Sequence, residues 1–242
     1  MSPASIQLQE TLQFLKRALP PAPCRVLEVG AGNGAVAIAL AAIGYDVTAL
    51  DESNEQPTQA GAEGVRWVEA DFLHWQPDEP YSAVLFTRSL HHMASAESAF
   101  ARSAEALEDG GLLIGEEFAY DRVTLPTARW YYDLEAVLVD TGILAPSGHE
   151  VAEGNPLGRW RKDHAHDPPL LTGHAMLAAA RERFEITSAE EAPCLYRYFC
   201  ERLEESERGM RVARRIFEVE SRLLRERDIT AAGLRIVGKK IA

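Results

Sequence analysis

Apolar positions Ile6, Leu8, Leu12, Phe14, Leu15 and Leu19 recur at near-helical spacing and stop at Pro20-Pro21, so the chain opens with an amphipathic helix. Arg25-Val-Leu-Glu-Val-Gly30 is a short β-rich run ending in glycine, and Ala35 to Ile43 is an alanine-rich helix closed by Gly44. Tyr45 to Leu50 then predicts a second strand ending at Asp51, Val65 to Glu69 a third followed by Asp71, and Tyr81 to Thr87 a fourth. Ser95 to Leu107 reads as a helix with Ser95 as its N-cap, Asp109-Gly-Gly111 as a turn, and Leu112 to Gly115 as a fifth strand running into Glu116-Glu117.

From Phe118 to about Leu171 this rhythm breaks. A helix from Pro126 to Asp140 is followed by a stretch rich in Gly, Pro, His and Trp, a candidate cap over a binding site. Regularity returns with a helix from Thr172 to Arg183, a strand from Phe184, two helices within Leu195 to Arg227 and a strand from Leu234 to Ile241. Strands alternating with helices imply a doubly wound, mostly parallel sheet of seven strands. With 242 residues and no long linker, the chain reads as one α/β domain, residues 1–242, with residues 118–171 inserted as a helical cap between strands five and six.

Charge and composition narrow the partners. A formal charge of -12 repels polyphosphate backbones, which argues against a nucleic-acid substrate. The Arg-rich stretch from Arg208 to Arg227 is interleaved with Glu207, Glu218, Glu220 and Glu226, as on a solvated amphipathic helix. The longest apolar run, near Ala35 to Ala42, is far short of the roughly 20 residues that span a bilayer, and no basic segment leads an apolar one at the N-terminus. Cytoplasmic location without membrane attachment is the expectation. Cys24, Cys194 and Cys200 lack metal-type spacing and read as reduced thiols, and oligomeric state stays open, a homodimer included.

In an open parallel sheet, ligands sit beyond the carboxyl ends of the strands, where the first strand-helix turn presents backbone N–H groups. That turn is Glu28-Val-Gly30-Ala-Gly32-Asn-Gly34-Ala35, and it admits two readings. Gly30-x-Gly32-x-x-Ala35, with Asp51 about twenty residues on, fits a dinucleotide fingerprint. The other reading, E-x-G-x-G-x-G, resembles the class I S-adenosylmethionine-dependent methyltransferases, in particular the small-molecule branch similar to the ubiquinone-biosynthesis enzymes. The match runs from Val26 to Glu117. Val26 to Gly34 is similar to the family's first motif, Val47 to Ser53 to its second, Glu69-Ala-Asp71-Phe72 to its third, and Leu85 to Met93, with its Leu-His-His, to the strand that follows. Leu107 to Leu113 resembles the "L-x-P-G-G" turn. Two positions depart from the pattern: Ser82 stands where the family has Asp, and Asp109 where it has Pro.

The resemblance implies a Rossmann-like class I methyltransferase fold with an antiparallel last strand. Its implied cofactor is S-adenosylmethionine, held by Glu28, Gly30, Ala31, Gly32, Asp51, Glu52, Asp71, Phe72, Thr87 and Arg88. The chemistry agrees. Glu28 can accept from an ammonium, Asp51 from a ribose diol and Asp71 from an adenine amino group, while glycines let the backbone approach the ligand.

Methyl transfer is an in-line displacement that needs alignment, exclusion of water and, for a protonated acceptor, a base. His91, His92 and Glu117 are the catalytic candidates, with Glu116 and Tyr120 close in sequence. Tyr120, Trp160, His164 and His166 are the candidates to contact a small-molecule acceptor, and Trp130, Tyr131 and Tyr132 are aromatic positions that read as core or pocket. A metal site from Asp163, His164, His166 and Asp167 is not expected. Two other readings stay open, a non-catalytic cofactor-binding module and a nicotinamide-dependent oxidoreductase.

Overall fold

The computed structural model describes residues 2–53, 64–146 and 154–241. In chain order its elements are α1 (Ala4–Ala18), β1 (Arg25–Val29), α2 (Ala35–Ala41), β2 (Asp46–Asp51), β3 (Val65–Glu69), β4 (Tyr81–Thr87), α3 (Ala96–Ala106), β5 (Leu107–Phe118), α4 (Leu125–Asp140), α5 (Pro156–Asp163), α6 (Gly173–Arg183), β6 (Phe184–Ala192), α7 (Tyr196–Cys200), α8 (Glu207–Glu226) and β7 (Gly233–Lys240). Short 3₁₀ turns lie at Leu90–His92 and Tyr120–Arg122.

The seven strands form one sheet in the order β3-β2-β1-β4-β5-β7-β6. Strands β3, β2, β1, β4 and β5 pair in parallel. The last strand, β7, runs antiparallel to β5: Lys239 lies over Gly110 while Ile236 lies over Gly115, so one number falls as the other rises. From β1 the chain winds outward through β2 and β3, then returns to place β4 on the other side of β1. The reversal puts a crevice at the carboxyl ends of β1 and β4. Near-continuous apolar runs make these central strands because both faces are covered: Val26, Leu27, Val29, Val84, Leu85 and Phe86 are all fully buried.

Capping side chains set several helix starts. The Ser95 hydroxyl accepts from the Ser98 N–H at 3.1 Å, and Thr172 does the same for Ala175 at 3.1 Å. The expected turn at Asp109 to Gly111 lies inside β5. Tyr81 pairs with Leu107 and Ala83 with Leu112, so the extra residues bulge out of the ladder, with Gly110 at φ 76°. Helix α5 falls where the sequence pattern predicted none. Its signals are local and short: Asn155 accepts from the Leu157 N–H at 3.0 Å and Pro156 occupies the first turn.

The chain divides into two compact units. The first comprises residues 11–117, 171–190 and 234–242 and contains nearly all of the sheet. Its core joins Leu27, Val29, Phe72, Phe86, Phe100 and Phe184 with Met176 and Ala180 of α6. The second comprises residues 1–10, 118–170 and 191–233, so the segment expected as a cap shares a unit with α7 and α8. Its core is aromatic, built on Phe118, Tyr131, Tyr132, Trp160, Tyr196 and Phe199. On helix α8, Arg215 pairs with Glu218 at 2.8 Å and Arg222 with Glu226 at 2.6 Å, the pattern of a solvated face, while Arg214 reaches Glu10 of α1 at 3.1 Å. Among the described residues, no helix is long and apolar enough to cross a membrane.

Glu220 organises this helical unit. Its carboxylate is 1% exposed and accepts from the main-chain N–H groups of Cys194, Leu195 and Tyr196 at 2.8, 3.0 and 2.8 Å, fixing the start of α7 on α8. Replacing it with alanine strands three buried donors. Glu220→Ala is expected to cost about 3 kcal/mol or more, and Glu220→Gln less, in chemical denaturation followed by circular dichroism.

Candidate active site

The glycine turn after β1 bends back over the sheet. Gly30, Gly32 and Gly34 have φ of 67°, 52° and 69°, in the region that residues bearing a Cβ avoid. The Gly30 and Ala31 N–H groups both donate to the Leu50 carbonyl, at 2.8 and 3.1 Å. A side chain on Gly30 would collide with Ser89, and one on Gly34 with the Trp67 ring. Gly32 differs, since a Cβ there meets nothing within 4 Å. Its glycine serves the backbone conformation, and its main chain faces open space.

Asp51 pins the turn. Its Oδ2 accepts from the Gly32 N–H at 2.7 Å, and its Oδ1 from the Ser53 N–H and hydroxyl at 2.8 and 2.7 Å. Partial burial raises the carboxyl's pKa, but these hydrogen bonds outweigh it and hold Asp51 below the usual carboxylate range. Asp71 is likewise held low, by His74 and by the Leu73 N–H.

Next to the turn lies a cavity of about 470 Å³. Gly30, Asp51, Glu52, Asp71, Phe72 and Leu73, which follow β1, β2 and β3, line it together with Arg88, Ser89, His92, Met93 and Ala94, which follow β4 on the other side of β1 in the sheet. Every one of these residues belongs to the sheet unit, at or just past the carboxyl ends of β1 to β4.

Two adjacent carboxylates at the end of β5 set the wall contributed by residues 88–92. Glu117 accepts from the Ser89 and Leu90 N–H groups at 3.1 and 3.0 Å and from His91 Nδ1 at 2.7 Å. Glu116 binds Arg235 at 2.6 Å and Arg88 Nη1 at 3.3 Å, and accepts from the Thr11 hydroxyl at 2.5 Å. Ser89 closes the arrangement by donating its hydroxyl to the Val29 carbonyl at 2.5 Å.

The family model described as "Methyltransferase domain" matches residues 5–149. The chain belongs to the methyltransferase-domain family. No curated protein matches it at a significant level. Solved structures share the fold at low identity. A putative S-adenosylmethionine dependent methyltransferase from Listeria monocytogenes is 18% identical, with TM-score 0.57 over 95% of this chain and 97% of that one. The N-methyltransferase NodS from Bradyrhizobium japonicum WM9, solved with S-adenosyl-L-homocysteine, is 12% identical, with TM-score 0.54 over 97% and 87%. Geranyl diphosphate C-methyltransferase from Streptomyces coelicolor A3(2) is also 12% identical, with TM-score 0.58 over 96% and 76%.

In this methyltransferase the residues singled out from sequence take three kinds of position. Gly30, Asp51, Glu52, Asp71, Phe72, Arg88 and His92 line the cavity. Ala31, Gly32 and Asp51 shape the turn beside it. Glu28, Thr87, His91 and Glu117 do not line it. His91 and Glu117 are 6% and 1% exposed and face each other, while the His91 ring packs on His92 with centroids 4.2 Å apart. Ser89, Met93 and Ala94 line the cavity without having been singled out. Their signal was faint, a small hydroxyl residue directly before Leu-His-His and a small pair after it.

The acceptor candidates lie in the helical unit and are described there alone. Trp160 is 1% exposed and donates its indole N–H to the Tyr120 carbonyl at 3.0 Å, so it is a core residue of that unit. His164 stacks on Trp160 with ring centroids 3.8 Å apart, and its Nε2 lies 3.2 Å from the Tyr198 hydroxyl. The Tyr120 ring lies nearly parallel to that of His164, with centroids 6.4 Å apart, and His166 is exposed. Among the described residues, no three His, Cys, Asp or Glu side chains converge as metal ligands.

Glu28 sits under the turn. It is 1% exposed, its Oε1 accepts from the Thr87 hydroxyl at 2.7 Å, and its Oε2 is buried without a hydrogen-bond partner among the described residues. Burial pushes its carboxyl up to about 7, with Thr87 and the Arg88 charge offsetting only part of the rise. A folded-state value above the unfolded one of 4.5 stabilises the fold below that value, and the contribution is lost as pH rises through about 7. Ligand-free Glu28→Gln is therefore expected to match the parent near pH 4.5 and to exceed it by about 3 kcal/mol at pH 8, read from denaturation midpoints across pH. Gly30→Ala is expected to fold less stably and to close the turn against Ser89, which a loss of nucleoside-ligand binding in calorimetry would report.

Proposed function

We propose that this methyltransferase uses S-adenosylmethionine to methylate a small molecule in the cytoplasm, with the cavity beside the glycine turn as its cofactor site. The observation that carries the reading is the distribution of groups around that cavity. Acidic side chains that can accept from hydroxyl and amino groups, Asp51, Glu52 and Asp71, line it at the ends of β2 and β3, and Arg88 and His92 line it after β4 on the other side of β1. The cofactor would supply an electrophilic methyl group on a sulfonium centre. Asp51 is already ionised and oriented, and would receive the ribose hydroxyls. Asp71 and Phe72 would hold the adenine, and the open backbone at Gly32 would let the chain pass close to the ligand. The orphaned Glu28 Oε2 suits a buried ammonium reached through the turn.

His92 is the group in reach of an acceptor proton, because it lines the cavity. His91 and Glu117 act through it as positioning residues: Glu117 takes the His91 Nδ1–H, fixes that ring's orientation, and the His91 face supports His92. Such a base serves a hydroxyl or ammonium acceptor. Tyr120 and His164, at the partly exposed edge of the aromatic cluster, and His166 are the proposed acceptor contacts, with Trp160 holding His164 in place. The charge of -12 favours a small molecule over nucleic acid as acceptor.

Calorimetric titration with S-adenosylhomocysteine and, separately, with NAD tests this reading. Binding of the first is expected, weakened roughly 10- to 100-fold by Asp51→Asn and more by Asp51→Ala, which also releases the Gly32 N–H. Binding of NAD alone would overturn it.

A further inference from the structure

The imidazole of His164 is fixed in both place and tautomer by the helical unit that carries it. The Trp160 carbonyl accepts from the His164 main-chain N–H at 3.1 Å and from its Nδ1 at 2.9 Å. A carbonyl cannot donate, so Nδ1 carries the proton, and Nε2 of the neutral ring is an acceptor. The ring also lies on the Trp160 indole, with planes 28° from parallel, and that indole is buried.

The group that Nε2 meets is a phenol. The Tyr198 hydroxyl is 3.2 Å away, long for a hydrogen bond from an O–H. Burial raises the Tyr198 phenol above its usual range, so at neutral pH it is a donor and not a phenolate. Tyr120, His164 and Tyr198 are all only partly buried, and the Tyr120 and His164 rings are within 11° of parallel. At its accessible edge the unit therefore combines aromatic faces with an imidazole nitrogen that already holds an aromatic hydroxyl, by a weak bond. A second aromatic hydroxyl can be held on the same terms.

The largely buried charges of α4 and α5 give an ion little reason to prefer this edge. Glu135 accepts from Arg159 at 3.1 Å and from Arg202 at 2.6 Å, while Asp163 accepts from the Tyr132 hydroxyl at 2.7 Å and faces Arg159 at 3.6 Å. Two acids and two arginines cancel, so a neutral ligand is favoured over one that must shed its hydration to enter.

We propose that the acceptor is an aromatic compound bearing a hydroxyl, which displaces Tyr198 from His164 Nε2 while the acceptor's ring lies against Tyr120 and His164. The inference rests on the acceptor contacts proposed above and names their chemical class. His164 serves recognition here, and Trp160 is a positioning residue.

Four small probes separate the possibilities: 4-methylphenol, its methyl ether, which keeps the ring and lacks the donor, and benzylamine and benzoate, which carry the two charges. Each is titrated in ligand-observed NMR against the parent, His164→Phe and Tyr198→Phe. The parent is expected to bind 4-methylphenol roughly 3- to 10-fold more tightly than the ether. His164→Phe keeps a ring on Trp160 but loses Nε2, and the preference disappears. Tyr198→Phe removes the competing phenol, so 4-methylphenol tightens by a similar factor while the ether is unchanged. A near-UV circular dichroism spectrum like the parent's shows that a variant keeps its aromatic core, and Tyr198→Phe carries the test if His164→Phe does not. Equal binding of 4-methylphenol and its ether, stronger binding of either ion, or a preference that neither variant moves overturns the proposal. Calorimetry of the parent with S-adenosylhomocysteine reports on the cofactor reading separately: its failure there overturns that reading, whatever the four probes show.

Discussion

The alternation of a β-strand sends Glu116 and Glu117 to opposite faces of the sheet, and the wall of the cavity depends on that one fact. Each carboxylate is buried, and each binds the segment that follows β4. Glu117 gathers the N–H groups of Ser89 and Leu90 and the ring of His91, while Glu116 takes the guanidinium of Arg88 together with Arg235 and Thr11. A buried carboxylate without donors would cost several kcal/mol, so the segment is fixed as firmly as the strand that carries the two acids. This grip holds Arg88 left-handed and seats the Ser89 hydroxyl on the Val29 carbonyl.

Through Ser89 the constraint reaches the glycine turn. Gly30 has no room for a Cβ because Ser89 occupies it, and Gly34 has none because Trp67 does. The turn is then bound from below by Leu50 and from the side by Asp51. Loops after β1, β2 and β4 thus form one hydrogen-bonded rim, and together with the segment after β3 they line the cavity. A rim built this way is organised before any ligand arrives, which lowers the ordering cost of binding.

Charge follows the same plan. Asp51 and Asp71 are held ionised by donors, whereas Glu28, shut beneath the turn with one unpaired oxygen, is pushed up to about 7. Acids of successive motifs are therefore shifted in opposite directions. Burial decides between them, not residue type.

Much of this was legible in the residues alone. Alternating apolar runs, Pro20-Pro21, Ser95 as a cap, and the carboxylates that end successive strands marked the elements and the sheet edge that carries the site, because those signals act within one turn or strand. The glycine turn declared itself for the same local reason. What tertiary structure alone decided is which of the marked residues face the cavity. His91 and His92 are neighbours, yet one is turned into Glu117 and the other lines the cavity. Glu116 and Glu117 looked like candidates for chemistry and are the anchors of a loop. Trp160 looked like a binding residue and is the centre of an aromatic core, and Ser89, ordinary in sequence, closes the rim. These assignments depend on contacts between residues 26 to 119 positions apart, and a hydrophobic pattern carries no information about which distant polar group will answer a buried carboxylate.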